Sequence, residues 1–119
     1  MSRDLEIAVI DDDQSFRVAL VESLSSLGYG AVGYASAEDY IGLIGGKSFD
    51  CVVTDIHMPG SMDGLKLAHA VRNRWPPIKI IVTSGRETVA EQDLPAGGRF
   101  FAKPYDPSEI KDALRAWAF

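Results

Sequence analysis

Apolar and polar residues follow two rhythms along this chain. Leu5-Glu6-Ile7-Ala8-Val9-Ile10 is almost continuously apolar, which predicts a strand buried on both faces, as in a parallel sheet. Phe16, Leu20, Leu24 and Leu27 then recur at helical spacing, and Gly28 supplies a stop. A short strand is expected over Ala31–Tyr34, then a helix capped by Ser36 with Ala37, Tyr40, Ile41 and Ile44 on its apolar face. Cys51-Val52-Val53-Thr54 reads as a third strand ending in Asp55. Leu65, Ala68, Val71 and Trp75 mark a third helix, stopped by Pro76-Pro77. Ile78–Val82 is a fourth apolar strand. From Gly85 to Gly98 only Val89 and Leu94 sketch a helical face, and Pro95 interrupts it, so a short or irregular fourth helix is expected. Arg99–Ala102 reads as a fifth strand. Asp106-Pro107-Ser108-Glu109 combines an N-cap, a proline at the first helical position and a Glu three residues after the cap. Ile110, Ala113, Leu114 and Trp117 supply the last helix's apolar face.

Five strands alternating with five helical segments predict one doubly wound α/β domain over residues 1–119, a parallel sheet with helices on both faces. In such sheets the functional crevice lies beyond the carboxyl ends of the strands. The first strand delivers Asp11, Asp12 and Asp13 there, the third Asp55, the fourth Thr83 and Ser84, and the fifth Lys103. If the first and third strands are neighbours, ~4.8 Å apart, three carboxylates converge on one small pocket. Two unit charges 5 Å apart repel by roughly 3 kcal/mol at an effective dielectric of 20. One lysine does not balance three such groups, so the pocket either raises a pKa or binds a cation. An oxygen-rich site with few protein ligands and room for water suits Mg²⁺ better than zinc.

Composition narrows the classes further. Twelve Lys+Arg against seventeen Asp+Glu in 119 residues give a formal charge of −5, which argues against a nucleic-acid-binding surface formed by this domain alone. The single cysteine, Cys51, excludes an intrachain disulfide framework and a Cys-based zinc site, and its strand position predicts a small buried hydrophobe. No apolar run approaches the ~18 residues of a membrane span. Met1-Ser2-Arg3-Asp4 lacks the apolar stretch of a secretory signal, so a cytoplasmic location is expected. His69, alone on the third helix, is expected to be a surface or boundary residue.

Taken in order, Asp11-Asp12, Asp55 within Val52-Val53-Thr54-Asp55-Ile56-His57-Met58-Pro59, Asp63-Gly64, Ile81-Val82-Thr83-Ser84 and Lys103-Pro104-Tyr105 resemble the receiver domain of two-component response regulators over essentially the whole chain. The resemblance implies a flavodoxin-like strand order 2-1-3-4-5. It implies that Asp55 is the phosphoacceptor, taking a phosphoryl group from a histidine kinase or histidine phosphotransfer protein. Mg²⁺, for which Mn²⁺ can substitute, would be held by Asp12 directly, by Asp11 through water, by Asp55 and by the backbone carbonyl of His57. Lys103 and Thr83 would each contact a phosphoryl oxygen. Thr83 would then draw the loop after the fourth strand toward the site, and Phe100 would change rotamer into the space vacated. Such a domain catalyses only its own phosphorylation and dephosphorylation, acts on a downstream protein, and involves neither nucleic acid nor membrane. The family also suggests a cis Lys103-Pro104 bond.

Three features depart from the family pattern. The loop from Met58 to Gly64 is one residue longer. His57 and Gly85 stand at the two variable positions flanking the phosphoryl group, where Gly85 offers no side chain to position a water. The segment between Thr83 and Lys103 is about two residues short and holds Pro95, which points to a remodelled output face and to a monomer or weak dimer.

Two rivals compete. Asp11 and Asp13 form the Asp-x-Asp pair of haloacid-dehalogenase-type phosphatases, with Asp11 as nucleophile, Asp13 as general acid, and Thr83 and Lys103 as phosphate binders. That reading lacks a later acidic pair for the metal and a substrate cap, and it leaves Asp55 to Gly64 without a role. Gly28-Tyr29-Gly30-Ala31-Val32-Gly33 matches the dinucleotide-binding G-x-G-x-x-G, but these glycines leave a helix and enter a strand, the reverse of what the fingerprint needs.

Overall fold

The computed structural model describes residues 5–44, 49–58, 63–85 and 89–116. Five strands, β1 (Glu6–Ile10), β2 (Gly30–Tyr34), β3 (Cys51–Asp55), β4 (Lys79–Ser84) and β5 (Arg99–Ala102), form one parallel sheet in the order β2-β1-β3-β4-β5. The expected doubly wound fold is therefore present, with its carboxyl edge formed by β1, β3, β4 and β5.

The alternation of side chains along each strand divides the core in two. Ala8, Ile10, Val52, Ile80 and Val82 pack beneath α2 (Ala37–Ile44) and α3 (Gly64–Arg74) with Tyr40, Leu67, Ala68 and Val71. Ile7, Val9, Cys51, Val53 and Ile81 face α1 (Gln14–Ser26) and α4 (Pro107–Ala116), meeting Leu20, Leu24, Ile110, Ala113 and Leu114. Cys51 is fully buried, and burial, reinforced by the Asp50 charge, pushes its thiol well above the ordinary value, so it stays neutral.

Local chemistry explains where the helices begin and end. Ser36 Oγ accepts from the Asp39 amide at 3.1 Å, and Asp106 Oδ1 accepts from the Ser108 amide at 2.9 Å, as the two cap patterns predict. Gly28 closes α1 at φ +95°, a conformation a side chain would oppose. Two expected apolar positions face solvent instead. Leu27 is the C-cap of α1 and is 45% exposed, because the chain has already left the helical path there. Ile41 is 37% exposed, the turn of α2 carrying it off the face that Ala37 and Tyr40 bury. Trp117, the side chain of Ile44 and loop residues 59–62 lie outside the described residues.

Between β4 and β5 the expected weak helix is reduced, among the described residues, to a single 3₁₀ turn at Glu91–Asp93. Pro95 cannot donate a backbone hydrogen bond, and Gly97 adopts φ +76° within the turn that the Gly98 amide closes onto the Pro95 carbonyl at 2.8 Å. Leu94 and Pro95 are buried, Val89 packs against the same core, and α3 holds the backbone from the side. His69 Nε2 lies 2.9 Å from the Asp93 carbonyl, and Arg72 Nε donates to the Ala96 carbonyl at 2.9 Å. The same guanidinium donates to the carbonyls of Ile78 and Pro76. Among the described residues, no helix is long and apolar enough to cross a membrane.

Candidate functional site

The sheet ladder runs one step beyond its strands and fixes the backbone of the site. The Asp11 amide donates to the Tyr34 carbonyl at 3.0 Å, the Ile56 amide to Thr83 at 3.0 Å, and the Lys103 amide to Ser84 at 2.9 Å. Asp55 and Thr83 are register partners on β3 and β4. Asp11 and Asp55, 3% and 6% exposed, are buried carboxylates, whereas Asp12 is exposed. One oxygen from each of Asp11, Asp12 and Asp55 can be chosen so that all lie within 4.8 Å of one another.

Lys103 enters this cluster from the end of β5, just before a cis Lys103-Pro104 bond. Its Nζ is 2.7 Å from Asp11 Oδ2 and 3.5 Å from Asp55 Oδ1. It also lies 4.4 Å from the centre of the Phe16 ring. Three carboxylates against one ammonium leave the cluster net negative. Burial, then the Asp11 charge, push the Asp55 carboxyl up to about 6 despite the opposing pull of Lys103. Burial and the same two buried carboxylates raise the Tyr105 phenol well above its usual value, so it remains a neutral hydroxyl beside the site.

An open cleft of about 510 Å³ sits over the cluster, walled by Asp12, Asp13, Phe16, Asp55, His57, Gly85, Lys103 and Pro104. The structure thus brings Asp11, Asp12, Asp55 and Lys103 together and places His57 on the cleft wall. Thr83 stands beside Asp55 but is only 1% exposed and does not line the cleft. Phe100 is half-buried on β5 against the core beneath α3, and borders a separate groove of about 230 Å³ with Val89, Glu91, Leu94, Gly98 and Arg99.

Several supporting contacts carried no clear signal in the sequence. Asp13 Oδ1 accepts from the amides of Ser15 and Phe16 at 2.9 and 3.3 Å, so this carboxylate caps α1. Arg17 donates to the Asp11 carbonyl at 2.7 Å. The Asp13 amide donates to Asp11 Oδ1 at 2.9 Å. Gly64 opens α3 so close to β3 that a Cβ there would stand 1.7 Å from the Asp55 carbonyl oxygen. Helical periodicity assigned Phe16 to the core; its place in the first turn, directly after the carboxylates, was the available hint of a second role.

An arrangement of three oxygen donors and one ammonium, open to solvent on one side, can hold a hard divalent cation and present one carboxylate oxygen as a nucleophile. Comparison with known proteins agrees with that chemistry. The response regulator receiver domain family matches residues 7–115. Transcriptional regulatory protein FixJ of Bradyrhizobium diazoefficiens is 33% identical over 107 residues, 87% of this chain and 52% of that protein. Regulator of RpoS of Escherichia coli is 38% identical over 86 residues, 72% of this chain and 25% of that protein. The chain therefore spans about half the length of the first relative and a quarter of the second. Among solved structures, chemotaxis protein CheY4 of Vibrio cholerae shares the fold at a TM-score of 0.85 and 22% identity, covering 96% of this chain and 98% of that one. Response regulator protein TrrA of Thermotoga maritima, solved in complex with Mg²⁺-BeF, gives a TM-score of 0.79 at 25% identity and covers 94% and 97%. This chain belongs to the response regulator receiver domain family, the signalling domains of two-component systems that are phosphorylated on an aspartate.

Proposed function

We propose that the whole chain, residues 1–119, acts as one cytoplasmic receiver unit in which Asp55 accepts a phosphoryl group from a phosphohistidine on a histidine kinase or phosphotransfer protein. The observation that carries this reading is the cluster itself, Asp11, Asp12 and Asp55 with oxygens within 4.8 Å and Lys103 bridging two of them. The excess negative charge and oxygen donors fit Mg²⁺, with Asp12 and Asp55 as direct ligands, Asp11 acting through water and the His57 backbone carbonyl completing the protein set. When bound, the ion supplies positive charge to the phosphoryl oxygens.

The remaining chemistry belongs to the chain. An oxygen of Asp55 forms the new P–O bond as the donor's P–N bond breaks, and the electron pair leaves on the imidazole nitrogen. An ionised carboxylate needs no general base for this step. Lys103 pairs with a phosphoryl oxygen. Thr83, buried beside Asp55, reaches the phosphoryl group by a shift of the β4 end, and the groove beside Phe100 gives that ring space to turn. A downstream protein then reads the changed surface, with the domain a monomer or weak dimer. The capping role of Asp13 weighs against the phosphatase reading, because its carboxylate is engaged by two backbone amides.

Incubation with acetyl phosphate and Mg²⁺, followed by intact mass measurement, tests the proposal. Wild type is expected to gain one phosphoryl group, and chelation of the metal or Asp55→Asn to prevent it. Equal labelling of wild type and Asp55→Asn would overturn the assignment. Asp12→Asn is expected to weaken Mg²⁺ binding, and an unchanged metal titration would remove that ligand.

A further inference from the structure

Phe16 lines the cleft, and its aromatic ring lies against the Lys103 ammonium of the charged cluster. The Asp13 cap bonds its amide, which sets the first turn of α1 against the cleft. Its ring centre lies 4.4 Å from Lys103 Nζ, and Tyr105 backs it at 5.8 Å between ring centres, tilted by 45°. The ammonium is thus held at three points: Asp11, Asp55 and an aromatic face.

These three holds respond differently to events in the site. A cation on the carboxylates competes with Lys103 for Asp11 and repels the ammonium. Phosphorylation changes the charge on Asp55. The π face of Phe16 carries no net charge to be neutralised, so its attraction for the ammonium persists through both changes. We infer that Phe16 is a positioning residue that retains Lys103 in the cleft when Asp11 is engaged elsewhere, keeping the lysine's charge where the phosphoryl oxygens arrive. The inference rests on the phosphoacceptor reading of Asp55 and adds to it a residue that touches neither metal nor phosphorus.

The test compares wild type with Phe16→Leu, which keeps an apolar side chain of high helix propensity, and Phe16→Tyr, which keeps the ring. The ε-methylene protons of Lys103, assigned by their loss in Lys103→Ala, are expected upfield of the usual lysine position in metal-free wild type and Phe16→Tyr, through the ring current, and at the usual position in Phe16→Leu. With Mg²⁺ and beryllofluoride added, the upfield position is expected to remain. Phosphorylation by acetyl phosphate is expected to be about fivefold slower in Phe16→Leu and close to wild type in Phe16→Tyr. Unshifted lysine protons in wild type, their return to the usual position on loading, or wild-type phosphorylation in Phe16→Leu would each overturn the inference while leaving Asp55 as acceptor. Failure of wild type itself to take up a phosphoryl group would instead remove the functional proposal, and this inference with it.

Discussion

The carboxyl edge of the sheet and the segment between β4 and β5 are built in opposite ways. At the edge, side chains carry the design: Asp11 and Asp55 leave the neighbouring strands β1 and β3, Lys103 comes from β5 to lie within 3.5 Å of both, and the ladder beneath them fixes their backbone. In the 89–98 segment the backbone itself is what is held. Two buried side chains, Leu94 and Pro95, and two carbonyl contacts, His69 to Asp93 and Arg72 to Ala96, replace what a helix would supply. The edge is tied by ladder bonds and carries excess negative charge, whereas the segment depends on a few exposed contacts.

The largest effect in breaking this comparison is expected from Gly64→Ala. A methyl 1.7 Å from the Asp55 carbonyl oxygen requires β3 and α3 to separate, costing at least about 3 kcal/mol in urea unfolding. A near-neutral result would show that the edge is not stiff. Next, in chelated buffer, Asp55→Asn is expected to stabilise the fold. The native carboxyl is raised from 3.8 to about 6, so ionising it costs folding free energy above pH 6, none remains below about pH 3.8, and the cost fades between these values. After a discount for the open cleft, the gain is roughly 2 kcal/mol at pH 7.5. A gain that persists at pH 3.5 would assign it to another cause.

Arg72→Ala probes the other region. Loss of its bonds to Ala96, Ile78 and Pro76 is expected to cost about 1 kcal/mol and to speed amide exchange across 89–98, with phosphoryl uptake at Asp55 retained. Unchanged exchange would mean that the buried side chains secure the segment without Arg72. Asp13→Asn should have the smallest effect, within about 0.5 kcal/mol, because Asn caps a helix as well as Asp, and acetyl phosphate labelling should continue. Loss of labelling without loss of stability would revive a chemical role for Asp13.

The two regions also differ in how readable they were. Strand ends are legible because apolar runs stop abruptly at Asp11, Asp55, Thr83 and Lys103, and a parallel sheet aligns those stops. The identity of the acceptor, metal ligands and switch residues came from the resemblance to a family, not from periodicity. Contacts between distant segments had no such signal. Nothing in the helical pattern of α3 marks Arg72 as the residue that binds a loop twenty-four positions away, and its hydrogen bonds go to carbonyls that every residue possesses. Phe16 and Asp13 were hidden for a different reason. Each satisfies a local rule, core periodicity for one and an acidic strand end for the other, while its neighbours in space give it further work. Leu27 and Ile41 show the converse, fitting the helical pattern yet lying beyond the face that packs.

The central claim is that one buried aspartate at the end of β3 captures phosphorus. Treatment of the Mg²⁺- and acetyl phosphate-loaded protein with borohydride reduces an aspartyl phosphate to homoserine, and peptide mass spectrometry then locates the converted residue. The account predicts conversion at Asp55 alone, dependent on the metal. Conversion at Asp11, or none at Asp55 in protein that has gained a phosphoryl group, would contradict it.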